Sequence, residues 1–246
     1  MLGEARFNAI PTDGPSVVAR LACCFQFGGM RIRQVMTVLM VLAGRSSYSQ
    51  VPIDLHAAVK QGGIEVHNRE LSVIDEPAHA GIRLSKARGE GIAWLKGIEF
   101  SNGTIEFDVR GEDVKQRSFV GIAFHGANDS TFDAIYLRPF QFNATADSLR
   151  MRMIQYISLP EHTWRILRAK SPRVYEHSID PAPDPNGWVH VRVAVQGDRL
   201  STFINGAREP SLVVTKVTAV RTGRVGFYVA DASGGDFANI RITPIP

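Results

Sequence analysis

WVHVRVAVQGDRLSTFIN, residues 188–205, alternates apolar and polar side chains, turns once, and runs back. Successive side chains of an extended chain point to opposite faces. Val189, Val191, Val193 and Val195 therefore form one row, while Trp188, His190 and Arg192 form the other. Gly197 and Asp198 supply the turn, and 199–205 is the return strand. A hairpin with one greasy face needs a second layer to cover the valines.

The same period of two recurs on both sides of this stretch. It is present in 103–110 (GTIEFDVR), 118–125 (SFVGIAFH), 132–138 (FDAIYLR), 149–157 (LRMRMIQYI), 224–231 (RVGFYVAD) and 236–242 (DFANIRI). Asn205-Gly206 and Ser233-Gly234-Gly235 mark further turns, and no amphipathic helix of ten or more residues stands out. The fold class predicted is all-β, an antiparallel two-sheet jelly-roll sandwich. Residues 158–185 break the pattern with Pro160, Pro172, Pro181, Pro183 and Pro185 and read as a long loop. Loops of that length in compact domains are usually functional or disordered, and Trp164 and Tyr175 argue for order.

The chain has 246 residues, 44% hydrophobic and 21% charged, which excludes disordered and fibrous classes. Five of its 28 basic residues and two of its 24 acidic ones fall in residues 1–50. The body is thus close to neutral, with 23 basic and 22 acidic groups, and carries no nucleic-acid footprint. Both cysteines, Cys23 and Cys24, lie in the same first fifty residues, so the body has no disulfide framework, zinc-thiolate site or cysteine nucleophile.

From Met30 a short basic segment leads into the apolar run 35–44 (VMTVLMVLAG) and then a small-residue stretch ending at Gln50. This is the anatomy of a cleavable signal peptide, with Ser47 and Ser49 at the −3 and −1 positions, and the run is too short to span a bilayer. The plainer reading is a core strand or helix of the mature protein. The expectation is a leader over 1–49 with its true start at Met30, and one sandwich domain over 51–246. That implies a secreted, periplasmic or cell-surface protein without stable membrane insertion after cleavage.

Segments of 97–242 resemble the concanavalin A-like lectin/glucanase superfamily, and within it the bacterial laminin-G-like and 3-keto-disaccharide hydrolase (family-16-glycosidase-like) domains. The matching pieces are 103–109 (GTIEFDV), 119–126 (FVGIAFHG), 136–140 (YLRPF), 155–168 (QYISLPEHTWRILR), 175–188 (YEHSIDPAPDPNGW), 203–214 (FINGAREPSLVV) and 223–242 (GRVGFYVADASGGDFANIRI). The resemblance implies a jelly roll whose concave sheet often receives a glycan. It implies no activity, because the same sandwich carries lectins, glycosidases, lyases and interaction modules.

Four constellations could carry chemistry. Glu106, Asp108 and Arg110 share a strand face, and two carboxylates are the minimum for glycoside hydrolysis. The family-16 pattern is Glu-x-Asp-x-Glu or Glu-x-Asp-x-x-Glu; here the third acid, Glu112, comes one residue too late and follows a glycine. A solvated face paired to basic neighbours is the simpler account.

The second set is His125, Tyr136 and Arg138, with Arg150, Arg152 and Tyr156 on another strand. Aromatic rings and arginine forks suit sugar C–H faces, hydroxyls and carboxylates, although Tyr136 and Arg138 could equally brace the adjoining loop. The third is the 158–185 loop with its approach, which offers Gln155, His162, Trp164, Arg168, Tyr175 and Glu176. Trp164 is either a stacking platform or a buried peg, and His162 with Glu176 an acid/base pair if the fold joins them. The fourth is Asp231-Ala-Ser-Gly-Gly-Asp236, a plain hairpin turn or a calcium loop.

No phosphate loop, dinucleotide fingerprint, HExxH motif or Gly-x-Ser-x-Gly elbow occurs in the body. The ligand-binding set expected is His125, Tyr136, Arg138, Gln155, Tyr156, His162, Trp164, Arg168 and Tyr175, holding a poly- or oligosaccharide beside the 158–185 loop without a required cofactor. The alternatives are a sugar-active hydrolase drawing on Glu106, Asp108, His162 and Glu176, and a protein-interaction module with no glycan site.

Overall fold

The computed structural model describes residues 51–245; the expected leader and signal peptide lie outside them. Fifteen strands and three short α-helices follow in chain order, with one turn of 3-10 helix at Pro139–Gln141. They are β1 (Val51–Pro52), α1 (Leu55–Lys60), β2 (Ile64–His67), β3 (Leu71–Glu76), β4 (His79–Leu84), β5 (Gly91–Phe100), β6 (Asn102–Arg110), β7 (Val120–Asn128) and β8 (Thr131–Leu137). After these come α2 (Asp147–Arg150), β9 (Ile154–Leu159), α3 (Trp164–Lys170), β10 (Glu176–His177), β11 (Val189–Gln196), β12 (Arg199–Ile204), β13 (Leu212–Thr215), β14 (Gly223–Val229) and β15 (Gly235–Ile245).

The strands form two antiparallel sheets, the all-β sandwich that the alternation predicts. One has the order β13-β12-β11-β6-β15-β4-β3, with β1 added beside β15; the other runs β10-β9-β8-β7-β14-β5-β2. Strand β11 lies between β12 and β6, so the valine row of the opening hairpin shares its face with Ile105, Phe107 and Val109. All of these side chains are buried.

Register decides which face of the seven-stranded sheet looks inward. The Phe227 ring packs on Phe107 and Phe237 of the opposite sheet. Phe227 pairs with Ile122, Ile122 with Ile135, and Ile135 with Tyr156, so these four side chains all face the core. The alternate row, Tyr228, Gly121, Tyr136 and Gln155, is on the outer face. Trp94 belongs to that outer face as well, opposite Gly226.

Two segments differ from the sequence reading. Residues 149–157 were expected as one strand, but the first part is α2 and its following turn, and pairing begins only at Ile154. Leu149, Met151 and Met153 imitate a strand's alternation, while Asp147 and Arg150 suit the ends of a short helix. The 158–185 stretch, expected as a loop, holds the seven-residue helix α3 and the short strand β10. Thr163 caps α3 by accepting from the Ile166 amide at 3.4 Å. Pro160 and Pro172 flank this helix instead of interrupting it, so the proline count misled. Its seven residues are too few for a helical period to be visible in the sequence.

Candidate functional site

Five of the nine expected ligand residues are buried: His125, Tyr136, Arg138, Gln155 and Tyr156. They divide between the two faces of the seven-stranded sheet. Tyr136, Arg138 and Gln155 form a network on the outer face. Arg138 donates through Nη2 to the Tyr136 hydroxyl at 2.9 Å and to Gln155 Oε1 at 3.0 Å, and through Nη1 to the Arg152 carbonyl at 2.7 Å. Gln155 Nε2 donates onward to the carbonyls of Tyr156 and Tyr175. Arg168 forks onto Glu176, which also lies 3.8 Å from Arg138. This network ties α3 and β10 to the sheet, so Arg138 braces the segment and Glu176 is an ion-pair partner of Arg168. No bond joins Glu176 to His162 among the described residues.

Tyr156, expected on the same face as Tyr136, is on the core side. Gln155 and Tyr156 are consecutive, and side chains along a strand alternate faces at every step. There the Tyr156 hydroxyl donates to Asp133 Oδ1 at 2.8 Å, and Asp133 Oδ2 lies 3.2 Å from Lys216 Nζ. Lys216 can only donate, so His125 Nδ1, 2.6 Å away, accepts, and His125 Nε2 donates to the Ser101 carbonyl at 2.9 Å. Burial lowers the Lys216 ammonium, and burial of Asp133 pushes that carboxyl up but is outweighed by the Lys216 charge and the Tyr156 hydrogen bond, leaving the carboxylate below its usual range. His162 lines a cleft of about 450 Å³ that Asp133 of this network also borders, with Ser158 and Val217.

The outer face carries the candidate site. Trp164, at the start of α3, is 39% exposed and lines one cavity of about 140 Å³ with Tyr136, Tyr228, Phe119, Glu90 and Asp231. Three of these rings make contacts in a row: Phe119 is edge-on to Tyr136, and Tyr136 is tilted against Tyr228. Arg165 and Arg168 place their guanidinium groups 5.3 and 4.7 Å from the Trp164 ring. The Tyr228 hydroxyl donates to Glu90. Burial pushes the Glu90 carboxyl above its ordinary value, and burial beside Glu90 raises the Tyr228 phenol far more. Asp231 Oδ1 accepts from the Gly89 amide at 2.7 Å. Arg69 holds the surrounding turns by donating to the carbonyls of Gly89, Ala230 and Ser233. The cavity thus offers aromatic walls, the half-buried carboxyl of Glu90 and a second carboxyl, that of Asp231.

Sequence reasoning reached Tyr136 and Trp164 but missed Glu90, Phe119 and Tyr228. Alternation in 224–231 separates Tyr228 from Phe227, yet nothing in the order of residues says that β14 lies beside β7. Asp231 belongs to the turn that the sequence offers as a plain hairpin or a calcium loop. The fold separates the two aspartates: Asp231 lines the outer cavity, while Asp236 is on the opposite sheet, held by Arg83 at 2.6 Å and Arg110 at 2.7 Å. Among the described residues no cluster of three or more His, Cys, Asp or Glu side chains is arranged to hold a metal ion.

The Glu106, Asp108 and Arg110 face is the outer face of the other sheet. Glu106 lies opposite Arg192 and Arg241 in the pairing, and Arg110 forks onto Glu76 and Asp236. Asp108 accepts from His190 Nδ1 at 2.7 Å and from Asn239 at 2.6 Å. These acids are therefore on the far side of the sandwich from His162 and Glu176, and no single cleft unites the four catalytic candidates.

The Asp108 hydrogen bond raises the His190 imidazole, and burial of Asp108 is outweighed by the bonds from His190 and Asn239, so its carboxyl is lowered. A raised histidine stabilises fully below its ordinary value of 6.5 and loses that contribution as pH rises through the raised one. Replacing Asp108 by Asn is expected to cost about 1 kcal/mol or less at about pH 6, since His190 is partly exposed, and still less at about pH 9. Urea midpoints of the two proteins at both pH values measure the gap.

A family model described as the 3-keto-alpha-glucoside-1,2-lyase-like domain matches residues 54–243. No curated protein matches the chain. Among solved structures, the carbohydrate binding module CBM66 from Bacillus subtilis is similar at 15% identity and a TM-score of 0.53, over 72% of this chain and 93% of its own. A protein of unknown function with a galectin-like fold, also from Bacillus subtilis, aligns at 11% identity and a TM-score of 0.52, over 79% of this chain and 94% of that one. The potassium-bound carbohydrate recognition domain of Emp46p aligns at 16% identity and a TM-score of 0.51, over 80% and 97%. These likenesses are of fold.

Proposed function

The chain belongs to the 3-keto-alpha-glucoside-1,2-lyase-like domain family, and from that premise we propose that it is an exported carbohydrate-binding domain holding a saccharide on the outer face of its seven-stranded sheet, beside α3. The observation that carries this reading is the single cavity lined by Trp164, Tyr136, Tyr228, Glu90 and Asp231. Sugars bring apolar C–H faces that pack on aromatic rings and hydroxyls that donate to carboxylates. The cavity, about 140 Å³, is smaller than the roughly 300–1,000 Å³ of a drug-sized pocket, so it takes one sugar unit of a ligand that continues over the surface. Export is supported by the basic segment, apolar run and small-residue stretch of residues 30–50.

Replacing Trp164 by Ala is expected to weaken binding about tenfold or more, as loss of an aromatic anchor does. Stability should change by about 1 kcal/mol at most, because the ring is a partly exposed wall. Electrophoretic retardation in gels containing dextran, levan or hyaluronan measures the first effect, and urea unfolding the second. Lack of retardation in every gel, or equal retardation of wild type and variant, would defeat the proposal.

A second reading is a sugar-active enzyme. It is favoured by Glu90, whose half-buried carboxyl is raised and shares its cavity with the carboxyl of Asp231, and two carboxyls are the minimum for glycoside hydrolysis. The replacement Glu90→Gln would then abolish release of reducing sugar while leaving retardation in place; a wild type that releases none from any retarding polysaccharide is a binder alone.

A further inference from the structure

Resting on that carbohydrate-binding reading, we propose that the saccharide is acidic, of the kind in which uronate and neutral sugars alternate. A neutral unit would occupy the Trp164 cavity, and the next units would follow α3 toward its C-terminal end. Helix α3 has seven residues and is therefore about 10 Å long. At one end Trp164 lines the aromatic cavity. Just beyond the other end, Arg173 and Arg150 line a second recess of about 300 Å³ together with Asp147, Met151 and Ser178. Between the two, Arg165 and Lys170 stand exposed on the helix itself.

Charge argues for an anion on this path. The body as a whole has one basic group more than it has acidic ones, yet residues 147–180 alone hold six basic residues against four acids, Asp147, Glu161, Glu176 and Asp180. Glu176 is already engaged by Arg168. Arg150, Arg165, Lys170 and Arg173 have no ion-pair partner among the described residues. Arginine forks match a carboxylate in two parallel hydrogen bonds, so a uronate lying on α3 would find Arg165 or Arg173 ready to receive it.

The cavity itself argues against an unbroken polyanion. Its polar lining includes Glu90 and Asp231, which take hydroxyl donors and repel phosphate or carboxylate. A polymer that places a neutral ring in the cavity and a charged ring outside satisfies both surfaces. A nucleic acid, with a charge on every unit, does not.

The test uses affinity electrophoresis of the full chain in hyaluronan, in dextran and with single-stranded DNA. The proteins compared are wild type, Trp164→Ala, and the triple variant Arg165→Gln, Lys170→Gln, Arg173→Gln, whose folding is checked by urea unfolding. Wild type is expected to bind hyaluronan about tenfold more tightly than dextran at low salt. High salt and the triple variant should each erase that preference, since it is electrostatic. Equal affinity for the two polysaccharides, or a triple variant that keeps the preference, overturns the acidic assignment but leaves the carbohydrate reading standing if Trp164→Ala still weakens binding. No binding to either polysaccharide overturns the acidic assignment, and overturns the carbohydrate reading as well if levan also fails to retard the protein. Binding of DNA as tight as that of hyaluronan replaces the assignment with a general polyanion surface.

Discussion

Replacing Lys216 by Met is expected to destabilise the protein by about 3–5 kcal/mol, because it leaves the Asp133 carboxylate buried without its cation. Lys216 follows β13 of one sheet and Asp133 lies in β8 of the other, so the pair ties the two sheets together at one end of the sandwich. The two side chains are 0% and 1% exposed. The three ammonium protons have three acceptors: Asp133, His125 and the carbonyl of Val220 at 2.6 Å. Methionine fills similar volume and offers none of these bonds. The double variant Lys216→Met, Asp133→Asn should recover much of the loss, since it removes the stranded charge while an amide oxygen still accepts from Tyr156. The sign of the pH dependence follows from the lowered Asp133 carboxyl. Its contribution is present above the unfolded carboxylate value and disappears as pH falls through the lower folded one. Urea midpoints near neutrality and on acidification provide the measurement. A Lys216→Met protein within about 1 kcal/mol of wild type would mean the pair does not couple the sheets.

Trp94→Ala is the second large effect, expected at about 3–5 kcal/mol from lost burial and the cavity left behind. The Trp94 ring is completely buried, meets Phe132 edge-on, and lies under the Arg224 guanidinium at 4.7 Å. Its indole N–H donates to Asp129 at 2.7 Å. Two glycines make room for it: a Cβ on Gly126 would sit 2.3 Å from the ring, and one on Gly226 2.8 Å. Alanine at Gly126 should therefore destabilise as overpacking does, by about 1–3 kcal/mol. Phe132 in turn packs on Tyr228, the wall of the candidate cavity, so loss of Trp94 removes the support behind the site. Trp94→Phe keeps most of the ring and gives up the bond to Asp129, at about 1 kcal/mol. Urea unfolding ranks the three variants. Saccharide retardation then shows whether Trp94→Ala weakens binding beyond its loss of folded protein.

Much of this was legible beforehand in particular residues. The valines of 189–195 and the Ile105, Phe107 and Val109 row are buried as their alternation requires. Tyr136 and Trp164, picked out as aromatic residues near a chemically rich segment, do meet in one cavity. Tyr156 and Tyr136 were assigned a common face because both are polar aromatics on neighbouring strands. Their pairing makes Tyr136 the partner of Gln155, which turns Tyr156 to the core. Lys216 gave no signal, since a lone lysine after a strand reads as solvated until the opposite sheet delivers an aspartate to it.

Residue order by itself determined the all-β class, the faces within each strand and the neutrality of the body, because alternation and charge are local properties that survive any arrangement of the strands. Only the tertiary structure decided that Glu90, Trp164 and Tyr228 share a cavity, that Asp231 and Asp236 part company, and that Lys216 meets Asp133. Those meetings depend on which strands are neighbours and in what register, and a shift of one residue would send the strand residues Tyr228, Asp133 and Asp236 to the other face of their sheets.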